Sequence, residues 1–183
     1  MRDDTIRVLN EFNINSFANK KNIERAEKFI NPDEKLLYIS PTNLAIINNA
    51  TGKTEKLPGI VFLTDKRFCF NYQILFNHST EIVPLEEIRS VNSSGNAMSG
   101  GHIQIHTIAK TYDMLVSYKK ELISKILFLF DNAKSQLSNH SFSSDGTEIN
   151  AFEKIEKLAE LKEKGIISDE EFQQKKAELL ENI

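Results

Sequence analysis

Four histidines, one cysteine and a pair of adjacent glutamates are the residues of this 183-residue chain whose chemistry would make a site. His102 and His106 stand four apart, the spacing at which two imidazoles on a helix share one metal. The surrounding Gly-Gly-His-Ile-Gln-Ile-His-Thr-Ile alternates polar and apolar residues, which predicts a strand instead. On a strand the two rings share a face but stand about 13 Å apart, at roughly 3.3 Å per residue, too far to ligate one zinc. A half-exposed strand face is the expected place for both. His78 and His140 fall in stretches read as loops, with no cysteine or acid cluster beside them in sequence.

Cys69 alternates with Phe68 and Phe70 and has no base placed to activate it, so packing is expected rather than nucleophilic chemistry. Gly95–His102 has the glycine spacing of a phosphate-binding loop but lacks the lysine and hydroxyl that would hold phosphate and magnesium, and no helix is expected after it. It reads as a hairpin connection. Glu86 and Glu87 sit on a short helical turn, where charge at a helix N-terminus accounts for them. No catalytic, metal-ligating or cofactor-binding constellation emerges, and the chain is read as no enzyme.

The elements that would position any site change character along the chain. Residues 3–30 read as two helices: Ile6, Leu9 and Phe12 make one apolar stripe, and Ile23, Ala26, Phe29 and Ile30 a second, ended by Asn31-Pro32. They are expected to pack beside the main domain. From Asp33 to Val116 the period falls to about two. Glu34–Ser40 is an expected strand stopped by Pro41, with another at Leu44–Asn48. Residues 59–72, two apolar runs around Asp65-Lys66-Arg67, form the strongest expected hairpin. Thr80–Val83 is a short strand, Leu85–Ile88 a helical turn and Ile88–Asn92 a strand, followed by a flexible loop at Ser93–Gly101. His102–Ala109 and Thr111–Ser117 make a last hairpin. Lys119–Leu137 returns to helical spacing, with Leu122, Ile126, Leu129, Phe130, Ala133 and Leu137 on one face.

Composition narrows the classes. Apolar residues make up 40% and charged ones 27%, the proportions of a globular protein. Residues 151–183 carry six lysines against nine acids, leaving 17 of each sign in 1–150, so neither part has the basic surplus of a nucleic-acid binder. The lone Cys69 suits a reducing compartment. The first residues lack the apolar core of a signal peptide, and the longest apolar run, Ile126–Phe130, is too short to span a bilayer. A cytoplasmic location is expected.

About seven strands followed by one long amphipathic helix is the order of a pleckstrin-homology (PH)-like barrel. Gly59-Ile-Val-Phe-Leu-Thr-Asp-Lys-Arg-Phe-Cys-Phe, followed by Ile82-Val-Pro-Leu-Glu-Glu-Ile-Arg-Ser-Val, resembles the bacterial PH domains of the YokE type. The second phrase departs from that family by an extra Val83 before Pro84. The resemblance covers about residues 33–135 and implies an α+β fold: a two-sheet PH-like β-barrel capped by its C-terminal helix. It makes Arg67 part of a structural hairpin phrase. Lys66 and Arg67 are nonetheless the one candidate contact for an anionic ligand on such a body.

Residues 151–183 complete the chain. Phe152, Ile155, Leu158 and Leu161 cover one helical face, Gly165 suits a left-handed helix end, and Ser168 with Glu171 forms a capping box for a second helix presenting Phe172, Leu179 and Leu180. This predicts a helical hairpin whose apolar face needs a partner surface. Ile155–Leu180 is similar to the SHOCT, or short C-terminal, family, which implies oligomerisation or protein contact and no active site. PH-like and SHOCT domains joined in this order are a known architecture of such families.

The expected organisation is a helical segment at 1–32, a PH-like domain at 33–138, a polar linker at 139–150 and the SHOCT hairpin at 151–183. The expected function is a non-enzymatic binding or scaffold module. The hairpin face (Phe152, Ile155, Leu158, Leu161, Ile166, Ile167, Phe172, Leu179 and Leu180) would contact a second copy or another protein. A membrane-surface adaptor for anionic lipid and a phage-borne host-interaction factor are the alternative readings. Nucleic acid is not an expected partner.

Overall fold

The computed structural model describes residues 1–74 and 77–141 and, beyond them, residues 159, 162, 172, 173, 175 and 176. By its internal contacts the chain divides into Met1–Leu137 and Ser138–Ile183.

The first unit opens with two short helices. In α1 (Asp3–Glu11), Asp3 and Asp4 place negative charge at the positive end of the helix dipole. The helix stops at Phe12, followed by Asn13 at φ 50°, a left-handed conformation that asparagine tolerates better than most side chains. A 3-10 turn at Phe17–Asn19 leads into α2 (Lys20–Ala26), and a second turn at Glu27–Phe29 precedes the extended Ile30. Arg2 ties the two helices together. Its guanidinium donates to the Asp4 carboxylate and, at 3.2 Å, to the Ile30 carbonyl, while its backbone N–H donates to Glu27 Oε2 at 3.0 Å.

Both helices pack into the same core as the strands, as expected, but the buried face of α1 is rotated from the expected one. Val8 is 1% exposed and Ile6 45%; the inward stripe is Thr5, Val8, Leu9 and Phe12, an i, i+3, i+4, i+7 set. The Ile6-Leu9-Phe12 reading skipped Val8, which the helical period places beside Leu9. In the second stripe Ile23, Ala26 and Ile30 are buried, whereas Phe29 turns outward where the 3-10 turn shifts the phase.

Seven antiparallel strands follow: β1 (Leu36–Asn48), β2 (Thr54–Thr64), β3 (Arg67–Ile74), β4 (Asn77–Pro84), β5 (Ser90–Asn96), β6 (Gly100–His106) and β7 (Lys110–Val116), in the spatial order β4-β3-β2-β1-β7-β6-β5. The two strands expected on either side of Pro41 are one, because β1 runs through the proline. Pro41 pairs with Ile60 of β2, but β1 meets β7 only from Leu44 onward, so no strand on its other edge requires the missing N–H. Pro58 has the same position in β2: it pairs with Asn43, and pairing to β3 starts at Gly59. Both prolines stand just where a third strand is absent.

Gly59 is set by close approach. A Cβ there would lie 2.5 Å from the Asn71 carbonyl oxygen and 2.5 Å from the Phe70 ring. Gly59→Ala is therefore expected to destabilise the protein by roughly 1–3 kcal/mol, the usual cost of overpacking, read as a lower urea midpoint with an unchanged slope. An unshifted midpoint would show that the strands separate at no cost.

The Ser93–Gly101 stretch is mostly paired, not a flexible loop. Gly95 pairs with Gly101 and Asn96 with Gly100, leaving a tight turn in which Asn96 Oδ1 accepts the backbone N–H groups of Met98 and Ser99, both at 2.9 Å. Gly95 has φ 124° and no room for a Cβ beside the Gly100 carbonyl. His78, expected in a loop, lies in β4.

The sheet curls on itself. Phe68 of β3 meets Tyr112 of β7 at 6.1 Å between ring centroids. Into this curl packs α3 (Lys120–Ser141), which buries Ile123, Ile126, Phe130 and Ala133, with Phe130 at 6.0 Å from Phe68. Leu122, Leu129 and Leu137 pack partly buried against the same core. The result is the PH-like α+β architecture the strand count and final helix imply. Because α3 extends to Ser141, the first three residues of the expected 139–150 linker are helical; 142–150 lie outside the described residues.

Beyond the end of α3, the six described residues of the second unit are all helical. Lys162 and Lys176 lie over the Phe172 ring, at 5.3 and 5.9 Å from its centroid. Lys162 and Phe172 lie on opposite sides of Gly165–Ser168 in sequence, where a hinge was expected; those four residues lie outside the described ones.

Candidate functional site

The residues that offered chemistry in sequence take structural positions. Cys69 is buried, and desolvation pushes its thiol up to about 12, the reverse of nucleophile activation. His102 Nδ1 lies 2.9 Å from Asp113 Oδ1, and His106 Nδ1 lies 3.1 Å from Thr111 Oγ1; each ring is half-exposed on β6 and bonds across to β7. No group of three metal-ligating side chains occurs among the described residues. Glu86 and Glu87 lie in the 3-10 turn Leu85–Glu87. The side chain of His140 lies outside the described residues.

Lys66 and Arg67 both meet acids from the segment before β1. Lys66 Nζ pairs with Asp33 Oδ2, and this bond holds the Asp33 carboxyl below its usual value and raises the Lys66 ammonium. Arg67 Nε lies 2.8 Å from Glu34 Oε1, and its Nη2 donates to Glu34 Oε2 at 3.1 Å and to the Phe29 carbonyl at 2.8 Å. Glu34 is almost wholly buried, so Arg67 is the counter-charge that its burial requires. The pair fastens the helical segment to the β2–β3 hairpin. Of the hairpin-face residues, only Phe172 is described; Phe152, Ile155, Leu158, Leu161, Ile166, Ile167, Leu179 and Leu180 lie outside the described residues.

One end of the curled sheet is fastened by a cluster that the sequence did not single out. Lys110 Nζ donates to both oxygens of Glu81, at 2.8 and 3.1 Å, and Tyr112 Oη donates to Glu81 Oε2 at 3.1 Å. These bonds join β4 to β7, strands with three others between them in the sheet order. Burial, reinforced by the Glu81 carboxylate, raises the Tyr112 phenol, which keeps it a donor. Glu81→Ala is expected to cost about 1–2 kcal/mol by chemical denaturation, since charge-assisted bonds are lost at a partly exposed site. A change below about 0.3 kcal/mol would show that the fastening contributes nothing.

A cleft of about 1330 Å³ opens on the first unit. It is walled by the α1–α2 connection (Glu11–Asn15 and Asn19), by Asn22 and Arg25 of α2, and by Tyr38 and Ser40–Asn43 of β1. Pro58–Ile60 of β2 and Asn71–Gln73 of β3 continue the wall to His78 of β4, the β5–β6 turn, the end of β7 and the start of α3. It occupies the region where β1 and β7 part: Leu44↔Met114 is the last pair, and beyond it the Thr42 hydroxyl donates to the Leu115 carbonyl at 2.7 Å. Side-chain amides recur along the lining. Asn15 Oδ1 accepts the Phe17 N–H and the Asn71 amide donates to Thr80, but the amides of Asn13, Asn19, Asn22 and Asn43 have no partner among the described residues.

Charge in the cleft is unevenly compensated. Lys125 pairs with Glu11 at 2.8 Å and lies over the Phe12 ring. Arg25 donates through Nη1 to His78 Nδ1 at 3.4 Å and has no acid partner among the described residues; nor has Lys119. Sequence reasoning passed over these residues because they come from separate segments. The one signal was the density of asparagine between Asn10 and Asn22.

With this geometry in view, comparison with known proteins bears on each unit. Residues 153–180 match the SHOCT family, the short C-terminal domain. No curated protein matches the chain. Among solved structures, the C-terminal domain of an unknown protein from Leishmania infantum is 20% identical, with 61% of this chain and 97% of that one covered and a TM-score of 0.40. The Vps36 N-terminal PH domain is 13% identical, with 61% and 86% covered and a TM-score of 0.43. The human ARAP2 N-terminal PH domain is 17% identical, with 55% and 82% covered and a TM-score of 0.39. The first unit has the strand order and final helix of a PH-like α+β fold by its own topology, and the SHOCT match lies in the second unit. No helix among the described residues is long and apolar enough to cross a membrane.

Proposed function

We propose that this protein is a non-enzymatic binding scaffold. The PH-like body offers its cleft to a ligand, and the SHOCT domain joins the chain to a second copy of itself or to another protein. The observation that carries the reading is the SHOCT match at 153–180, because a helical hairpin with one apolar face cannot cover that face by itself. Phe152, Ile155, Leu158, Leu161, Ile166, Ile167, Phe172, Leu179 and Leu180 form the proposed contact face. The structural positions of Cys69 and the histidines of β6 agree with a body that binds without catalysing.

Light scattering on the full chain and on residues 1–150 tests the assembly. The full chain should show a mass above that of a monomer that rises with concentration, and the shorter chain should be a monomer. Monomers in both cases would rule out self-association.

A further inference from the structure

We propose that the cleft binds an extended acidic peptide, with a carboxylate of that peptide seated on Arg25. The inference rests on the reading of the body as a binding domain but not on assembly through the SHOCT domain. At about 1330 Å³ the cleft is larger than the roughly 300–1000 Å³ of ordinary small-molecule sites, which suits a length of chain. Its asparagine amides that have no partner among the described residues each offer two donors and an acceptor, the groups that a peptide backbone needs once it leaves water. Phe12, Tyr38, Tyr72 and Pro58 supply apolar surface between the amides.

Charge selects the kind of peptide. The lining holds Arg25, Lys119 and Lys125 against Glu11 and Glu121, and Glu11 is already neutralised by Lys125. The cleft therefore has a cationic surplus on a chain of net charge −3. Arg25 uses Nη1 on His78, and Nη2 and Nε remain to hold a carboxylate in the bidentate manner of a guanidinium. Two cations without acid partners among the described residues, set in a concave wall that carries amides, do not make the clustered basic surface that an anionic membrane recruits.

The test uses the full chain and two fluorescein-labelled octapeptide pools, one with glutamate at alternating positions and one with glutamine there. Anisotropy at low salt should show the acidic pool bound at least about tenfold more tightly. That corresponds to about 1.4 kcal/mol, within the range of one charge-assisted contact. Arg25→Gln should erase the preference, Arg25→Lys should restore part of it, and amide resonances of Asn22, Arg25 and His78 should shift on binding. Lys119→Gln should weaken the acidic pool about threefold, and it serves as the decisive variant if Arg25→Gln fails to fold.

Equal affinity for the two pools, no binding of the acidic pool, or a preference that survives both substitutions would overturn the proposal. So would phosphatidylserine vesicles that bind and lose binding with Arg25→Gln. Leu158→Glu should leave peptide binding intact and Arg25→Gln should leave assembly intact, so failure of either reading is visible apart from the other.

Discussion

Leu158→Glu is expected to reduce the assembled full chain to a monomer. Leu158 stands between Ile155 and Leu161 in the three-residue recurrence that predicts an apolar face on the first helix of the proposed hairpin. Burying a leucine contributes roughly 1.5–3 kcal/mol, and forcing a carboxylate into the same contact adds an uncompensated desolvation cost of several kcal/mol. At about 1.4 kcal/mol per tenfold, the association constant should fall by at least roughly a thousandfold. The helix itself should persist, because glutamate is a good helix former. Light scattering measures the mass, and the near-ultraviolet dichroism of the body's tyrosines and phenylalanines reports its fold. An oligomer that survives the substitution would show that assembly does not run through this face.

Phe130→Ala should have the largest effect on the body. Phe130 is 1% exposed, lies 6.0 Å from Phe68 between centroids, and shares its helical face with Ile126 and Ala133. Removing a fully buried phenylalanine ring costs about 3–5 kcal/mol in transfer energy and residual cavity. Set against the roughly 5–15 kcal/mol of an ordinary domain, that is a large share, and the urea midpoint should fall accordingly. The far-ultraviolet helix signal should be lost together with the β-sheet signal, since α3 fills the curl of the sheet. A loss under about 1 kcal/mol would mean that the helix is not what fills it.

Features that repeat along the chain were legible in the residues. The change from helical to alternating period at Asp33, the hairpin around Asp65–Arg67 and the buried stripe of α3 each depend on neighbours a few positions away. Ile155–Leu180 carried the SHOCT resemblance that the match at 153–180 bears out.

Pro41 was misread because proline stops a strand only where its N–H is needed. Whether it is needed depends on whether β7 lies alongside, seventy positions further on. The glycine-rich stretch at 93–101 was misread because only pairing with β6 shows that its glycines allow two backbones to meet.

The cleft was the least legible feature. Arg25 and His78 are 53 positions apart, and neither has a local pattern that marks it; His78 read as a loop residue until β4 placed it beside α2. Lys66-Arg67 was the conspicuous cation pair in sequence, but the acids that neutralise it, Asp33 and Glu34, come from a segment that only the folded chain brings across. Element type, hairpin turns and the domain at the C-terminus follow from short-range sterics and hydrophobic period, so the residues alone determine them. Which cations remain uncompensated, and which amides share a wall, depends on strand order and on where β1 parts from β7. Those long-range choices set the charge and shape of the cleft, and no local stretch of the chain encodes them.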